Sequence, residues 1–345
     1  MVCIYFAINL GGNMKRPIKF ALIGATGLVG RTAIRILEEK KLPIDEYYFL
    51  ASSRSKDKKI EFRNQTYRIE ELTEDLFQKR HFDYAIFSAG AEIAKHFAPL
   101  AVENGTIVID NSNAFRMQED IPLIVPEVNM DCVPSHPTVI ANPNCSTIQA
   151  VVALKPLDER YHIKRIVYST YQAVSGAGKK GLDDLENGIK GMPPQKFPHP
   201  IFNNCLPHID DFLDNGYTKE EQKMIQETRK ILQKRELAVT ATTVRVPVFN
   251  CHCEAVNVEF YDSFALADVI QTLQQASGIR VFSENGQYPI PTLVSGQDDV
   301  FVGRIRRDFS LKSGINMWIV ADNVRKGAAT NAIQILEKLL ERQEK

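Results

Sequence analysis

The stretch FALIGATGLVG, residues 20–30, decides the fold of this chain. The apolar residues before its glycines have the composition of a buried β-strand, and a helical pattern follows them. Gly24 permits a tight turn, Gly27 lets the backbone approach a pyrophosphate, and Gly30 allows the helix to pack closely on the strand. This order of strand, turn and helix predicts a dinucleotide-binding site, with a tight turn that binds no ligand as the alternative. The other loop residues expected in the site are Thr26, Leu28 and Val29.

The end of the next predicted strand indicates which nicotinamide cofactor binds. An acidic residue there would bind the ribose 2′-hydroxyl of NAD, but the sequence runs into ASSRS, residues 51–55, which has no carboxylate. Ser53, Arg54 and Ser55 would instead suit a 2′-phosphate. The sequence therefore favours NADP, and a solvated loop is the alternative interpretation.

The rest of the chain divides into two parts of different pattern. Up to residue 145, short apolar runs alternate with helical patterns, which is typical of a parallel sheet covered on both faces. Its further strands are expected at 47–51, 84–88 and 106–109, with a helix at 94–103. After residue 146 longer strand-like segments appear, at 164–173, 238–248, 254–261 and 317–321, and an amphipathic helix ends the chain. We therefore predict an α/β protein with a Rossmann-type domain followed by a mixed α+β domain.

The overall composition excludes several classes of function. Lys+Arg and Asp+Glu each number 42 among 345 residues, so the net charge is zero and favours neither nucleic acid nor a membrane surface as partner. No apolar run reaches the ~18 residues of a membrane span. The apolar N-terminus lacks the positive charge of a signal peptide, and we expect residues 1–16 to be an extension without a structural role.

The cysteines indicate a reducing compartment and no metal. The chain has six of them without the paired spacing of a zinc or redox site, which is typical of free thiols in a cytoplasmic protein. The tripeptide Cys251-His252-Cys253 resembles a metal-binding fragment. On a strand, however, its two cysteines point to one face and the histidine to the other, so the three cannot share an ion.

Cys145 is the candidate nucleophile. It stands in ANPNCST, residues 141–147, directly before an apolar helical stretch, and therefore at or next to a helix N-terminus. The helix dipole at that position would stabilise the reactive thiolate. Asn144 is a suitable N-cap and could help to bind an oxyanion. Taken alone, this residue would more often be an inert buried cysteine.

Other residues turn that balance toward catalysis. His252 could take a proton from the thiol and later serve the oxygen of a hemithioacetal. Gln172 is expected near a strand end, and the small residues Ser175 and Gly176 follow it in a turn where a nicotinamide could approach. Seen singly, Gln172 and His252 would be ordinary structural polar residues.

A series of motifs in order gives the chain a resemblance to a known family. They are GATGLVG at 24–30, DNSNAFR at 110–116, NPNCST at 142–147, YQAVSGAG at 171–178, EEQK at 220–223, RVPV at 245–248 and DNVRKGAA at 322–329. Over residues 17–340 the chain resembles bacterial aspartate-semialdehyde dehydrogenases. N-acetyl-γ-glutamyl-phosphate reductases are the nearest alternative, but their cysteine motif is typically GCY-like. A second alternative is a non-catalytic relative with a binding or scaffold role, although such relatives lose the nucleophile.

The resemblance implies NADPH-dependent conversion of L-4-aspartyl phosphate to L-aspartate 4-semialdehyde, with release of inorganic phosphate. This is a step toward lysine or diaminopimelate, threonine and methionine. Cys145 would form the acyl-thioester, Gln172 would orient the substrate and His252 would be the acid–base. The remaining implied ligands are Arg245 for the substrate α-carboxylate, Glu220 for its ammonium, Arg116 and Lys223 for phosphate, and Asn323 for the nicotinamide.

The resemblance also implies the domain organisation. The dinucleotide-binding domain is expected at 17–145 and 324–345, because the C-terminal helix returns to it. Residues 146–323 would form the catalytic domain, whose sheet mediates a homodimer. Two residues depart from the family pattern, which usually has glycine before the catalytic histidine and serine after it. Cys251 and Cys253 stand there instead, so we expect an altered loop at His252 and a greater sensitivity to oxidation.

Overall fold

The structure, a computed structural model, describes residues 16–343 and is built on two six-stranded sheets. Its strands are β1 (Lys19–Ile23), β2 (Glu46–Ala51), β3 (Lys59–Phe62), β4 (Gln65–Arg68), β5 (Glu70–Glu71), β6 (Tyr84–Phe87), β7 (Ile107–Asp110), β8 (Val139–Ala141), β9 (Ile163–Gln172), β10 (Ala238–Arg245), β11 (His252–Phe260), β12 (Ile279–Phe282), β13 (Val300–Arg307) and β14 (Gly314–Ala321). Its helices are α1 (Leu28–Lys40), α2 (Leu76–Lys79), α3 (Ala91–Glu103), α4 (Pro126–Asn129), α5 (Cys145–Tyr161), α6 (Lys179–Ile189), α7 (Lys219–Ile231), α8 (Leu266–Gln275), α9 (Pro291–Val294) and α10 (Thr330–Gln343).

The first sheet is entirely parallel, in the order β5-β2-β1-β6-β7-β8. Strands β1 and β6 lie at its centre and are almost completely buried, as their continuous apolar sequences require. Helix α1 begins at Leu28 directly after the glycine loop. The predicted Rossmann-type architecture is confirmed. The expected extension at residues 1–15 lies outside the described residues, and Arg16, which was counted with it, forms an ion pair with Asp83.

The second sheet is mixed, in the order β10-β9-β11-β14-β13-β12. Its side chains alternate between a covered and an open face, as the period of a strand requires. Tyr168 is fully buried against the helices, whereas Tyr171, three residues later on the same strand, is 40% exposed on the other face. There the ring of Tyr171 packs on that of Trp318, with centroids 5.4 Å apart.

The C-terminal helix returns to the first sheet, as expected. Ile333 and Leu336 of α10 are buried in one cluster with Phe20 and Leu22 of β1. The turn before this helix is anchored by a buried ion pair, in which the Lys326 Nζ lies 2.7 and 2.8 Å from the two carboxylate oxygens of Glu127. No helix described over residues 16–343 is long and apolar enough to cross a membrane.

The two sheets bring the candidate residues together at their ends. Gln172 and Arg245 are the last residues of the parallel strands β9 and β10 and stand side by side in the register. His252 begins β11, which runs antiparallel to β9, so it lies at the same end of the sheet. Cys145 begins α5 just after β8, at the carboxyl end of the first sheet, where ligands of open α/β sheets bind.

Candidate active site

A cleft of about 580 Å³ separates the ends of the two sheets. The predicted site residues on its wall are Val29, Arg116, Asn144, Cys145, Gln172, Ser175, Gly176, Glu220, Lys223, Arg245 and Asn323. His252 is fully buried and lies behind this wall rather than on it. Ser53, Arg54 and Ser55 do not line this cleft and are described separately below.

Cys145 is the first residue of α5, and its neighbour Asn144 caps the helix. The Asn144 Oδ1 accepts hydrogen bonds from the backbone N–H groups of Ser146, at 2.9 Å, and Thr147, at 3.4 Å. Gly327 packs against the nucleophile so closely that a Cβ at that position would lie 2.9 Å from the Cys145 Cβ. The position of Cys145 is therefore fixed from both sides.

The electrostatic state of Cys145 differs from the sequence expectation. Burial, and then the nearby negative charge of Glu220, raise the pKa of the thiol to about 12, although Arg245 and Arg116 oppose this. The favourable helix dipole is outweighed, because a thiolate loses more by desolvation than one helix terminus returns. The protein alone thus keeps Cys145 as a thiol.

Helix α7 supplies one wall of the cleft. A capping box between Thr218 and Glu221 begins the helix at Lys219, as its sequence pattern predicts. Glu220 and Lys223, one turn apart, lie on the same face, with the Lys223 Nζ 3.3 Å from Glu220 Oε2. The helix therefore presents a carboxylate and an ammonium together to the cleft.

Glu220 is the centre of a hydrogen-bond network. Its Oε1 accepts from the side-chain amides of Asn144, at 2.9 Å, and Gln172, at 3.1 Å. Burial alone would raise the pKa of Glu220, but Lys223 and these two amides together lower it below its ordinary value. Glu220 is consequently a carboxylate, and it connects α7 to both the nucleophile loop and strand β9.

Glu227, on the same face of α7 two turns after Glu220, was missed by the sequence analysis. It is 1% exposed, and its carboxylate accepts from the Nη1 of Arg116, at 3.1 Å, and from the backbone N–H of Asn144, at 2.6 Å. The available signal was its spacing of seven residues from Glu220, which places both on one helix face.

Arg245 and His252 are pressed together beside Gly176. The Nη1 of Arg245 donates to the carbonyl of Ala173 at 2.7 Å, and burial lowers the pKa of this guanidinium. A Cβ at position 176 would lie 2.8 Å from that Nη1 and 3.3 Å from the His252 Nε2. Only glycine leaves room for both side chains.

A backbone amide fixes the proton on His252. The N–H of Ala173 donates to the His252 Nδ1 at 3.0 Å, so Nδ1 must be unprotonated. Burial, and then Arg245, hold the pKa of His252 well below its ordinary value, so the ring is neutral and its proton is on Nε2. That Nε2 has no hydrogen-bond partner among the described residues. His252 is therefore set up as a hydrogen-bond donor rather than as the base for the thiol.

Glu254 is a second group that sequence reasoning missed. It lies two residues after His252 on the same face of β11 and is completely buried. Neither carboxyl oxygen has a hydrogen-bond partner within the described part of the chain, because the nearby amide of Gln149 donates to the carbonyl of His252 instead. Burial raises the pKa of Glu254 well above its ordinary value, so the side chain is a neutral carboxylic acid.

The two cysteines around His252 lie on the opposite face of the strand. Cys251 and Cys253 are buried in an apolar cluster with Val294 and Phe301. Burial raises the pKa of both thiols, that of Cys253 to about 12, which makes them poor sites of oxidation. The backbone of Cys251 does show the cost of its side chain, because its φ of +74° is in the region that favours glycine.

The nicotinamide side of the cleft is held by Asn323. Its side chain hydrogen-bonds to the Ser175 hydroxyl at 3.0 Å and accepts from the backbone N–H of Cys251 at 2.9 Å. These bonds fix the turn that contains Gly176 and the start of β11 relative to one another. The small residues of this turn leave space for a flat ring.

The glycine loop has the shape of a phosphate cradle. Gly24 has a φ of +84°, and a Cβ there would lie 2.4 Å from the carbonyl oxygen of Ser88. A Cβ on Gly30 would lie 2.2 Å from the carbonyl oxygen of Gly24. Gly27 is the N-cap of α1 and has no side chain that could satisfy the first N–H groups of that helix. The loop thus fits the pyrophosphate of a dinucleotide.

Ser53, Arg54 and Ser55 form a single helical turn after β2. Ser55 lines a separate cleft of about 700 Å³ together with residues of the glycine loop. The cations on its wall, which the sequence analysis did not consider, are Arg31, Arg35, Lys58 and Lys59. In residues 16–343, no group of three or more His, Cys, Asp or Glu side chains is placed to hold a metal ion.

Comparisons with known proteins agree with this geometry. Residues 19–136 match the family described as semialdehyde dehydrogenase, NAD binding domain, and residues 154–326 match its dimerisation domain. An aspartate-semialdehyde dehydrogenase of Aquifex aeolicus is 49% identical over 333 residues, which cover 93% of this chain and 98% of that protein. Aspartate-semialdehyde dehydrogenase 2 of Vibrio cholerae is 47% identical over 336 residues, with coverage of 95% and 99%.

Solved structures give the same result. A crystal structure of aspartate semialdehyde dehydrogenase II from Vibrio cholerae, complexed with ASA, superposes with a TM-score of 0.90 at 46% identity and covers 95% of this chain and 99% of that one. The Candida albicans enzyme, crystallised with NADP, gives a TM-score of 0.74 at 27% identity and covers 94% and 99%.

Proposed function

Because the chain belongs to the aspartate-semialdehyde dehydrogenase family, we propose that it reduces L-4-aspartyl phosphate to L-aspartate 4-semialdehyde with release of phosphate. This activity serves the biosynthesis of lysine or diaminopimelate, threonine and methionine. The observation that carries the proposal is the charge pattern around Cys145. One carboxylate and three cations, Glu220, Lys223, Arg116 and Arg245, line one cleft with the thiol.

These charges complement the substrate. Arg245, whose guanidinium can form a bidentate pair, would bind the α-carboxylate, and Glu220 would bind the ammonium. Arg116 and Lys223 would bind the phosphate. The amide of Gln172, already bonded to Glu220, would orient the carbon chain toward Cys145.

Substrate binding would itself activate the thiol. The substrate ammonium would neutralise Glu220, which is the negative charge that raises the pKa of Cys145. Arg245 and Arg116 then favour the thiolate. When sulfur attacks the acyl carbon, the carbon–oxygen bond to phosphate breaks, and the thiol proton leaves on hydrogen phosphate. The proton balance therefore closes without a protein base.

His252 would act by hydrogen bonding. Its Nε2–H is the donor left free by the bond between Nδ1 and the Ala173 amide. It would stabilise the oxyanion of the tetrahedral intermediate and then that of the hemithioacetal on Cys145. Collapse of the hemithioacetal gives the aldehyde and returns the sulfur, which regains its proton from solvent.

The cofactor we propose is NADPH, which when bound supplies the hydride that reduces the thioester. The chain would hold its pyrophosphate with the loop of Gly24, Thr26, Gly27, Leu28, Val29 and Gly30. Ser53, Arg54 and Ser55 would bind the 2′-phosphate, with support from Arg31 and Arg35. Ser175, Gly176 and Asn323 would contact the nicotinamide end.

We also propose a cytoplasmic homodimer that pairs through the open face of the second sheet. The match to a dimerisation domain over residues 154–326 and the exposed aromatic pair of Tyr171 and Trp318 support this arrangement. Light scattering of the purified protein should give twice the mass of the chain. A monomeric mass at micromolar concentration would contradict it.

The decisive assay follows NADP reduction with aspartate semialdehyde and phosphate. Wild-type protein should be active, and Cys145→Ala should lose the activity because no thioester can form. Cys205→Ala, which removes an exposed thiol outside the cleft, should remain active. Full activity of Cys145→Ala would overturn the mechanism. A preference for NAD at equal concentration would overturn the role given to Ser53, Arg54 and Ser55, and a preference for N-acetylglutamate semialdehyde would overturn the substrate.

A further inference from the structure

Glu227 joins two parts of the cleft that are far apart in the sequence. One of its carboxylate oxygens accepts from Arg116 at 3.1 Å, and the other accepts from the backbone N–H of Asn144 at 2.6 Å. Asn144 directly precedes Cys145 and caps its helix. A single buried carboxylate thus contacts both the proposed phosphate ligand and the loop of the nucleophile.

The contact with Arg116 leaves that side chain free to bind an anion. Its Nη1 donates to Glu227, and its Nη2 donates to the carbonyl of Asn111 at 3.2 Å. The Nε of Arg116 is buried and has no partner among the residues described. Because a guanidinium has five N–H groups, Arg116 can bind phosphate without releasing Glu227.

The contact with Asn144 is one of two that α7 makes with the same residue. Glu220 accepts from the Asn144 side-chain amide at 2.9 Å, and Glu227 accepts from its backbone N–H. The residue before the nucleophile is therefore held at its side chain and at its backbone by one helix. A shift of Glu227 would move the start of α5 and Arg116 together.

We propose that Glu227 is a positioning residue that holds Arg116 and the Cys145 loop in one arrangement, so that phosphate binding and placement of the nucleophile are linked. The proposal rests on the phosphate role given to Arg116 above. Glu227 does not contact the reacting atoms, and its effect would pass through Arg116 and Asn144.

The test is Glu227→Gln, which keeps the volume but removes one acceptor. An amide has one oxygen and one NH2 group, so whichever way it turns, a donor faces Arg116 or the Asn144 N–H. Losing a charge-assisted hydrogen bond of this kind costs about 1.5–3 kcal/mol, equivalent to about 10–150-fold in binding. We expect the KM for phosphate to rise about 10-fold or more, and kcat to fall. Glu227→Asp retains both acceptors on a shorter side chain and should recover part of the loss.

Glu221→Gln is the matched control. Glu221 is also buried on α7, and its carboxylate also accepts from two backbone N–H groups, those of Thr218 at 2.8 Å and Thr243 at 3.0 Å. Neither of these residues lines the cleft. This variant should lower the melting temperature and leave the KM for phosphate unchanged.

A second measurement does not depend on turnover. Iodoacetamide alkylates Cys145, and bound phosphate should slow this reaction, which mass spectrometry of the peptide can follow. The phosphate concentration for half-protection should rise about 10-fold in Glu227→Gln and stay unchanged in Glu221→Gln. Equal shifts in the two variants, or none in Glu227→Gln, would overturn the inference. Absence of turnover in the wild-type protein would instead overturn the proposed function.

Discussion

The two sides of Cys145 differ in how their buried polar groups are satisfied. On the α7 side each buried charge has a partner, since Glu220 lies 3.3 Å from Lys223 and Glu227 lies 3.1 Å from Arg116. On the β11 side the Nε2 of His252 and both oxygens of Glu254 have no partner within the part of the chain that is described. The α7 side carries charges, whereas these two groups are neutral.

The difference shows how the site divides its work. Charges that must bind a charged substrate are kept ionised and in place by one another, because an unpaired buried charge is very costly. A donor that must meet an oxyanion is instead neutral and unpaired, so it loses no existing hydrogen bond when the reaction begins. Preorganisation for binding and preorganisation for chemistry thus require opposite treatment of buried polar groups.

The largest effect should come from removing the unpaired donor. His252→Ala is expected to lower kcat about 10²–10⁴-fold, with much less change in the KM values, because the Nε2–H acts on the developing oxyanion. Since the pKa of His252 is held well below its ordinary value, the wild-type kcat should show no histidine titration between pH 6 and 8. A rate that falls on protonation of His252 in this range would show that the ring acts as a base.

A smaller effect should follow where the two sides meet. The Cβ of Gly176→Ala would lie 2.8 Å from Arg245 Nη1 and 3.2 Å from His252 Cε1, so one of these side chains must shift. Overpacking of this kind costs about 1–3 kcal/mol, which predicts a fall in kcat/KM of about 5–150-fold. The control Gly188→Ala, near the end of α6 and outside the cleft wall, should keep the wild-type value. Equal activity of both variants would show that the packing of Gly176 is not critical.

The smallest effect concerns stability rather than rate. Glu254 binds its proton more tightly in the folded than in the unfolded chain, because burial raises its pKa above an ordinary value of 4.5. The free energy of unfolding therefore falls as the pH rises above that value toward the folded pKa. Glu254→Gln should remove this loss and be more stable than wild type by about 1–3 kcal/mol at pH 8, with little difference at pH 4.

Thermal or urea unfolding at both pH values measures this difference. Glu236→Gln, a change at an exposed position, should give no pH-dependent gain. If Glu254→Gln is less stable than wild type at pH 8, Glu254 has a partner when the protein is in solution, and the contrast between the two sides of Cys145 is weaker than described.

The sequence predicted those parts of the site that depend on local patterns. The strand–turn–helix order around Gly24, the helix start at Cys145 and the capping box before Glu220 all follow from residues close in the chain. The fold class and the return of the C-terminal helix are confirmed as well. The domain boundaries and the roles of individual site residues stay predictions.

The sequence could not reveal groups whose role depends on distant partners. Glu227 matters because of Arg116, 111 residues away, and the proton of His252 is fixed by an amide 79 residues away. Glu254 is unusual only because nothing near it donates a hydrogen bond. The state of the Cys145 thiol was also misjudged, since local reasoning included the helix dipole but not the burial and the negative charge of Glu220.

The backbone bond between Ala173 and His252 has a consequence for how the protein can change over generations. The donor belongs to the main chain, and every amino acid except proline supplies the same N–H at position 173. Mutation of the side chain there leaves the position of the histidine proton untouched. A property on which turnover depends is thereby protected against most single-residue replacements, and selection can alter this strand for packing or assembly without altering the chemistry.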